Sequence, residues 1–277
     1  MAATTPPRRP YETDLTEEEW RILSPFLPEA KRSPFKDQEP TPRREIVNAI
    51  LYIKRTGTQW RNLPHDFPKW QLVYHYFRTW KKDGTWKSMH DELRRRLRQK
   101  HGRQPEPTAG IVDSQSVQGT EMGGPSGYDA GKKVKGRKRH LLVDVMGLVL
   151  AVLILPANVQ DRDGARELLP IAKQEFPTLK KGWADRAYAG ELIGEAKAKY
   201  DIDLEVVKRS EDAKGFQLLH RRWVVERTFG WWNGERRLAK EYERTAESEQ
   251  AFLYITMTKL MAKRLAAFAA AEAKIAS

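Results

Sequence analysis

A mixed α/β domain preceded by a small all-α domain is what the 277-residue sequence predicts, on three observations. Between Arg43 and Lys100 apolar residues recur with a helical period, and no stretch there alternates like a strand. Gln104 to Thr108, QPEPT, is a Pro-containing linker that marks a boundary. Beyond it, short apolar strands and helical segments succeed one another, the order expected of a sheet with helices packed on it. The expected domains are therefore 1–105, helical with a flexible N-terminal arm, and 106–277, α/β with a long C-terminal helix.

In the first domain, residues 1–15 read as a Pro-rich arm. Thr16 and Glu19 have the spacing of a capping box, which opens a short helix to about Phe26. Arg43 to Arg55 is amphipathic, with Ile46, Val47, Ile50, Leu51 and Ile53 facing inward, and Gly57 ends it. Thr58 to Leu63 forms a brief second helix stopped at Pro64, and Lys69 to Lys82 a third one, dense in aromatic residues. Asp83-Gly84 turns the chain into a last helix from about Trp86 to Lys100, which carries Arg94, Arg95, Arg96 and Arg98. The set is compatible with a helix-turn-helix-like fold whose Arg94, Arg95 and Arg96 contact DNA. A helical packing unit with a solvated arginine face gives the same pattern.

In the second domain, GIVDSQSV is a strand within 109–117 with Asp113 at its polar end, and Gly119 to Arg137 reads as a Gly/Lys loop. His140 to Val145 and Leu148 to Leu155 form a hairpin about Met146-Gly147. A helix over 163–176, a strand over 181–185, a helix over 190–200 and a strand over 204–208 follow. RRWVVERTFGWWNGERR, residues 221–237, is a helix whose Arg222, Glu226, Asn233 and Arg237 share one polar face. Val225, Phe229 and Trp232 form its apolar stripe. A long amphipathic helix runs from about Glu247.

The net charge of +13 and a pI near 9.8 point to a polyanionic partner. Residues 1–105 hold 22 Lys and Arg against 13 Asp and Glu, so the first third is the more basic part. There is no cysteine, which excludes disulfides and thiolate metal sites and suits a reducing cytosol. The N-terminus has no apolar signal segment, and the longest apolar run, Leu148 to Leu155, is too short to span a bilayer.

Asp113 and Asp185 each end an apolar strand, and Glu226 lies on a helix that must pack on the same sheet. Three carboxylates converging from two strands and a helix are hard oxygen ligands suited to Mg²⁺. Two such metals can activate a water or hydroxyl and stabilise the leaving oxygen. Taken singly, each carboxylate is more often a cap, a turn or a salt bridge; only the set, at strand ends and beside basic loops, is informative. Lys132, Lys133, Lys135, Arg137, Lys138 and Arg139 read as a basic loop that clamps phosphate, with a merely soluble loop as the alternative. His140 is either a phosphate-orienting or a structural histidine. Trp231 is free to stack on an unpaired base, whereas Trp232, on the apolar stripe, belongs to the core.

The chain resembles the DDE transposases of bacterial insertion sequences, in the group with a short helical N-terminal domain. The resemblance covers nearly all of it. RTGTQWRNLPHDFPKWQLVYHYFRTWKKDG is similar to that N-terminal domain, and VDSQSV to the motif of the first aspartate, Asp113. GGPSGYDAGKKVKGRKRHLLVD and PANVQDRDGA resemble the central blocks. WADRAYAG resembles the second-aspartate motif at Asp185, and RRWVVERTFGWWNGERRLAKEYER the glutamate motif, with Glu226 and, before it, Arg222. The fuller glutamate motif has a tyrosine where this chain has Leu219 and a basic residue where it has Asn233; Arg236 and Arg237 stand in for the latter.

The resemblance implies a ribonuclease-H-like fold with Asp113, Asp185 and Glu226 as catalytic metal ligands for Mg²⁺, or for Mn²⁺ in its place. It also implies binding of the element's inverted-repeat ends, their cleavage, and joining of the 3′-hydroxyls to target DNA. The implied setting is a homodimer or larger assembly on double-stranded DNA in the bacterial cytoplasm, at the nucleoid and without a membrane. The rival readings are a metal-dependent nuclease that never transfers strands and a DNA-binding protein that has lost catalysis.

Overall fold

The computed structural model describes residues 8–29, 40–121, 124–207 and 222–276. Four helices come first: α1 (Glu17–Leu23), α2 (Arg43–Thr56), α3 (Trp70–Lys82) and α4 (Thr85–Lys100). The capping box at Thr16 and Glu19 is formed in both directions. Gly57, at φ +72°, ends α2 in the left-handed conformation that only glycine adopts without strain. The segment after it makes one 3-10 turn, Trp60–Asn62, in place of a full helix.

The sheet contains β1 (Ala109–Gln118), β2 (Gly127–Asp129), β3 (Val134–Asp144), β4 (Val149–Pro156), β5 (Lys181–Ala184) and β6 (Asp203–Val206). Helices α5 (Asp161–Glu175) and α6 (Glu191–Tyr200) connect the later strands, and α7 (Arg222–Asn233) and α8 (Ala246–Ala276) close the chain. The strand order is β4-β3-β1-β5-β6, with β2 beside the first residues of β3. β1 runs antiparallel to β3 and parallel to β5, and β5 runs parallel to β6. This mixed order is ribonuclease-H-like, as the sequence led one to expect.

Both faces of the sheet are covered. Ile111, Leu141 and Val143 turn to one face and share a core with α7, α8 and the N-terminal helices. Val112, Leu142 and Ala184 turn to the other face and pack with α5 and α6. The first core is continuous through α8, whose Phe252 stacks on Phe77 of α3 at 4.7 Å between ring centroids. Fully burying one such side chain stabilises by roughly 1.5–3 kcal/mol, so α8 is a major adhesive between the helical region and the sheet.

The basic residues of α4 serve this packing. Arg94 is fully buried, with its guanidinium 4.6 Å from the Phe176 ring, and Arg98 pairs with buried Asp144. Arg95 pairs with Glu106 at 2.7 Å and Arg96 with Glu92 at 3.0 Å. The expected row of DNA-facing arginines is therefore corrected at Arg94, which lies inside; Arg95 and Arg96 stay at the surface, paired with carboxylates.

Two further expectations are corrected. Val134 to Arg139 is not part of a loop but the first half of β3, which runs on through the strand expected from His140. Helix α7 stops at Asn233, before Gly234, so Arg237 lies in a separate 3-10 turn, Arg236–Leu238, and leaves the polar face it was expected to share.

Candidate active site

The register of β1 and β5 brings the two aspartates together. Ile111 pairs with Trp183 in parallel register, so two residues further on Asp113 stands opposite Asp185. Asp113 is in the middle of β1 rather than at its end, because β1 continues to Gln118 against β3. Odd-numbered residues of β1 face α7, which is why Asp113 and Gln115 both look that way; Gln115 bonds Asn233 of α7 at 3.2 Å. Val225, Phe229 and Trp232 seat α7 on the sheet and leave Glu226 on the open side.

The three carboxylates surround one atom. Arg222 Nη2 is 3.9 Å from Asp113 Oδ2, 3.7 Å from Asp185 Oδ2 and 3.7 Å from Glu226 Oε1. Each aspartate is oriented by the backbone in the same way. Asp113 Oδ1 accepts from Ser114 N–H at 2.7 Å, and Asp185 Oδ1 accepts from Ala187 N–H at 2.8 Å. Both therefore keep Oδ2 for the centre. Burial, and then the charge of Asp185, push Asp113 up to about 6 against the opposing Ser114 N–H.

Hard oxygen donors gathered at one point suit a divalent cation in their chemistry. Among the described residues no three such groups stand close enough to enclose a metal as they are placed here; the guanidinium of Arg222 is what gathers them.

Residues 104–261 match the family model of the transposase DDE domain, and residues 15–90 match the model of an IS4/5 family transposase. The chain belongs to the DDE transposases of the IS4/5 family. A curated relative named as transposase for insertion sequence element IS402, from Burkholderia cepacia, is 33% identical over 154 residues, covering 52% of this chain and 69% of the relative. An uncharacterized protein of the same element and organism is 28% identical over 113 residues, covering 39% and 76%. No solved structure matches. No helix among the described residues is long and apolar enough to cross a membrane.

In this transposase, the residues read from the sequence as a basic clamp divide into two groups. Lys132 and Lys133, at the turn between β2 and β3, and Lys135, in the first residues of β3, are exposed. Arg137, Lys138, Arg139 and His140 are buried, because β3 is covered on both faces. Strand alternation sends Arg137 and Arg139 toward α8 and the segment before it, where Arg139 Nε bonds Glu249 of α8 at 2.5 Å and Arg137 faces Glu241 at 3.5 Å. It sends Lys138 toward α5, where Nζ lies 3.1 Å from Asp161 and 3.3 Å from Asp129. His140 lies directly under Gly164 of α5, a position where any Cβ would meet the ring. Burial lowers its pKa to about 4.

Arg237 is likewise buried and bonded to Glu243 at 2.7 Å, whereas Arg236 is exposed. Trp232 is buried and Trp231 half-buried. Leu219 lies outside the described residues.

Behind Asp113, on the opposite face of β1, runs a polar chain that the sequence reading missed. Ser114 Oγ donates to Asp161 at 2.7 Å, Ser116 Oγ donates to Asp129 at 2.6 Å, and Lys138 joins the two aspartates. Burial alone would raise Asp129, but the bonds from Ser116, Lys132 and Lys138 hold it down to about 2. The signal for this chain was the serine pair at alternate positions of VDSQSV.

Proposed function

We propose that the transposase binds the inverted-repeat ends of its own insertion sequence, cleaves them with Mg²⁺ or Mn²⁺, and joins the freed 3′-hydroxyls to target DNA. One observation carries the site: three carboxylate oxygens, from β1, the end of β5 and α7, lie within 3.9 Å of a single guanidinium nitrogen. Asp113, Asp185 and Glu226 are the residues that would hold the metal. When bound, it supplies Lewis-acid polarisation of the scissile phosphate and activation of the attacking oxygen.

The chain's own groups do the rest. The backbone N–H groups of Ser114 and Ala187 fix one oxygen of each aspartate, so the other is aimed before DNA arrives. Arg222 offsets part of the carboxylates' charge in the free protein and, released from them, grips a phosphate at the cut. Lys132, Lys133, Lys135 and Arg236 are exposed cations available to the backbone of the end. We assign end recognition to residues 1–105 and chemistry to 106–277, in a dimer or larger assembly that handles two ends together.

The test is nicking and strand transfer on a labelled end duplex with Mg²⁺. Asp113→Asn, Asp185→Asn and Glu226→Gln should each abolish both and leave end binding in place. Pre-cleaved ends that are never joined to a target would reduce the protein to a nuclease. Near-normal nicking by folded Glu226→Gln would remove Glu226 from the site.

A further inference from the structure

Helix α7 presents a second group of residues beside Glu226. Adjacent positions on a helix point about 100° apart, so Arg227 leaves the helix away from the carboxylates. It goes instead with Trp223 and Trp231, four residues before and after it. Its guanidinium lies 4.5 Å from the Trp223 ring and 4.9 Å from the Trp231 ring. Arg264 of α8 lies 4.6 Å from the same Trp231 ring. Aromatic and cationic groups thus alternate in a ladder that starts at Trp223, itself partly exposed.

The ladder borders a cleft of about 650 Å³. Arg227 and Arg264 line it together with His101 and Arg103 from the end of α4, and Met146 and Phe268 add apolar wall. No carboxylate lines it. Among the described residues, no ion pair engages Arg103, Arg227 or Arg264. Arg227 Nη2 donates to the Met146 carbonyl at 2.9 Å, but its Nε is buried without a partner. Burial, and then the charge of Arg227, lower the proton affinity of Arg264. Asp144 acts against this, yet it is already paired with Arg98. Uncompensated cations gathered from α7, α8 and the end of α4 call for an anion. Their spread along a cleft suits a row of phosphates better than a single ion, and guanidinium forks match phosphate oxygens.

We propose that this cleft binds the phosphate backbone of duplex DNA outside the carboxylate centre, holding a flank of the duplex while α7 brings Glu226 to the cut. The inference rests on the reading above that DNA is cut at that centre. The contact is to backbone, so it is indifferent to sequence.

The experiment measures binding of the full-length chain to labelled duplexes, one carrying the element end and one of random sequence, across a salt series. The variant is Arg103→Gln/Arg264→Gln, and the control is Lys197→Gln/Lys199→Gln, which removes the same charge from α6. Losing two phosphate contacts should lower the slope of log K against log salt by about 1.8 and weaken both duplexes alike. The control should keep the wild-type slope. An unchanged slope in the cleft variant, or an equal fall in the control, overturns the proposal. Thermal melting checks folding; should the double variant not fold, Arg103→Gln alone, at an exposed position, should lower the slope by about 0.9. Nicking is measured on the same preparations. Wild-type protein that binds with the cleft-dependent slope but nicks nothing sinks the proposed chemistry and leaves the cleft. Protein that nicks normally, with a slope indifferent to the cleft variant, does the reverse.

Discussion

Two clusters of arginine and carboxylate lie on the same side of the sheet and are built to opposite tolerances. Around Arg222 the distances are 3.7–3.9 Å, and Glu226 is 54% exposed. Around Arg139 the Glu249 contact is 2.5 Å, with both side chains almost wholly buried. Arg137 and Glu241 complete that second group, also buried. The same chemical pair thus serves two ends. The buried cluster fixes α8 to β3 through the Arg139–Glu249 bond, although Glu241 and Glu249 each keep one buried oxygen without a hydrogen-bond partner. The loose one leaves oxygens unsaturated at a point that a ligand can reach. Proximity of opposite charges alone does not distinguish a structural network from a site; burial does, since the Arg137 contacts at 3.5 and 3.9 Å are as long as those of Arg222 but lie out of reach of solvent.

Exchanging one residue in each cluster breaks the comparison most sharply. Asp185→Asn should reduce nicking by on the order of 10²–10³-fold or more, the scale on which single preorganised charges act. Its melting temperature should hardly move. Glu249→Gln should do the opposite, because it strands Arg139 in the interior at a cost of about 3–5 kcal/mol. Urea unfolding with nicking assays on both proteins checks this, and equal stability losses would mean that the two clusters are alike.

His140 on the far face of β3 comes next. Its folded pKa, about 4, lies below the unfolded value of 6.5, so the stability it contributes is full above pH 6.5 and is lost as pH falls toward 4. The loss attributable to this one group is about 3 kcal/mol. A His140→Leu variant should show a shallower decline in unfolding midpoint over that window. Parallel curves for the two proteins would contradict the assignment.

Within the tight cluster, Glu241 should behave unlike Glu249. Burial first, and then Glu249, raise its pKa far above the carboxylate range. Its contribution is therefore present below about pH 4.5 and diminishes as pH rises. Glu241→Gln should consequently stabilise the protein at neutral pH by about 1–3 kcal/mol, with a gain that grows with pH. Melting at several pH values tests the trend. The smallest expected effect belongs to Arg222. Its ion pairs are long, so Arg222→Gln should cost under about 1 kcal/mol of stability while impairing nicking. A large loss of stability would place Arg222 with the structural arginines.

Much of the fold was legible because the two halves differ in period, helical up to Lys100 and alternating from Ala109. The aspartates stood out because each follows an apolar run on a strand, and strands of such a sheet gather at a common edge. Glu226 stood out because it is a lone carboxylate on a basic helix. Arg137, Lys138 and Arg139 were misread for a definite reason: a run of cations looks solvated unless the carboxylates that bury it are known. The partners of Arg137 and Arg139, Glu241 and Glu249, lie about a hundred residues downstream; they become neighbours only through the fold, as do Asp129 and Asp161, the partners of Lys138. The buried arginines of α4 were hidden in the same way, by Asp144 and Phe176. Trp223, Arg227 and Trp231 had visible four-residue spacing, but Arg264, which completes the ladder, is on another helix.

The parallel pairing of Ile111 with Trp183 has a consequence for how such a protein can change over time. Side chains alternate along a strand, so a shift of one residue between β1 and β5 would turn one aspartate to the opposite face. Insertions and deletions between Ala109 and Asp113, or between Lys181 and Asp185, are therefore forbidden to any working descendant. The turns between the intervening strands are under no such restraint. They can lengthen or shorten, provided that each returns the chain to the same rung. Short stretches of strand keep the spacing, and the turns are free to drift around them.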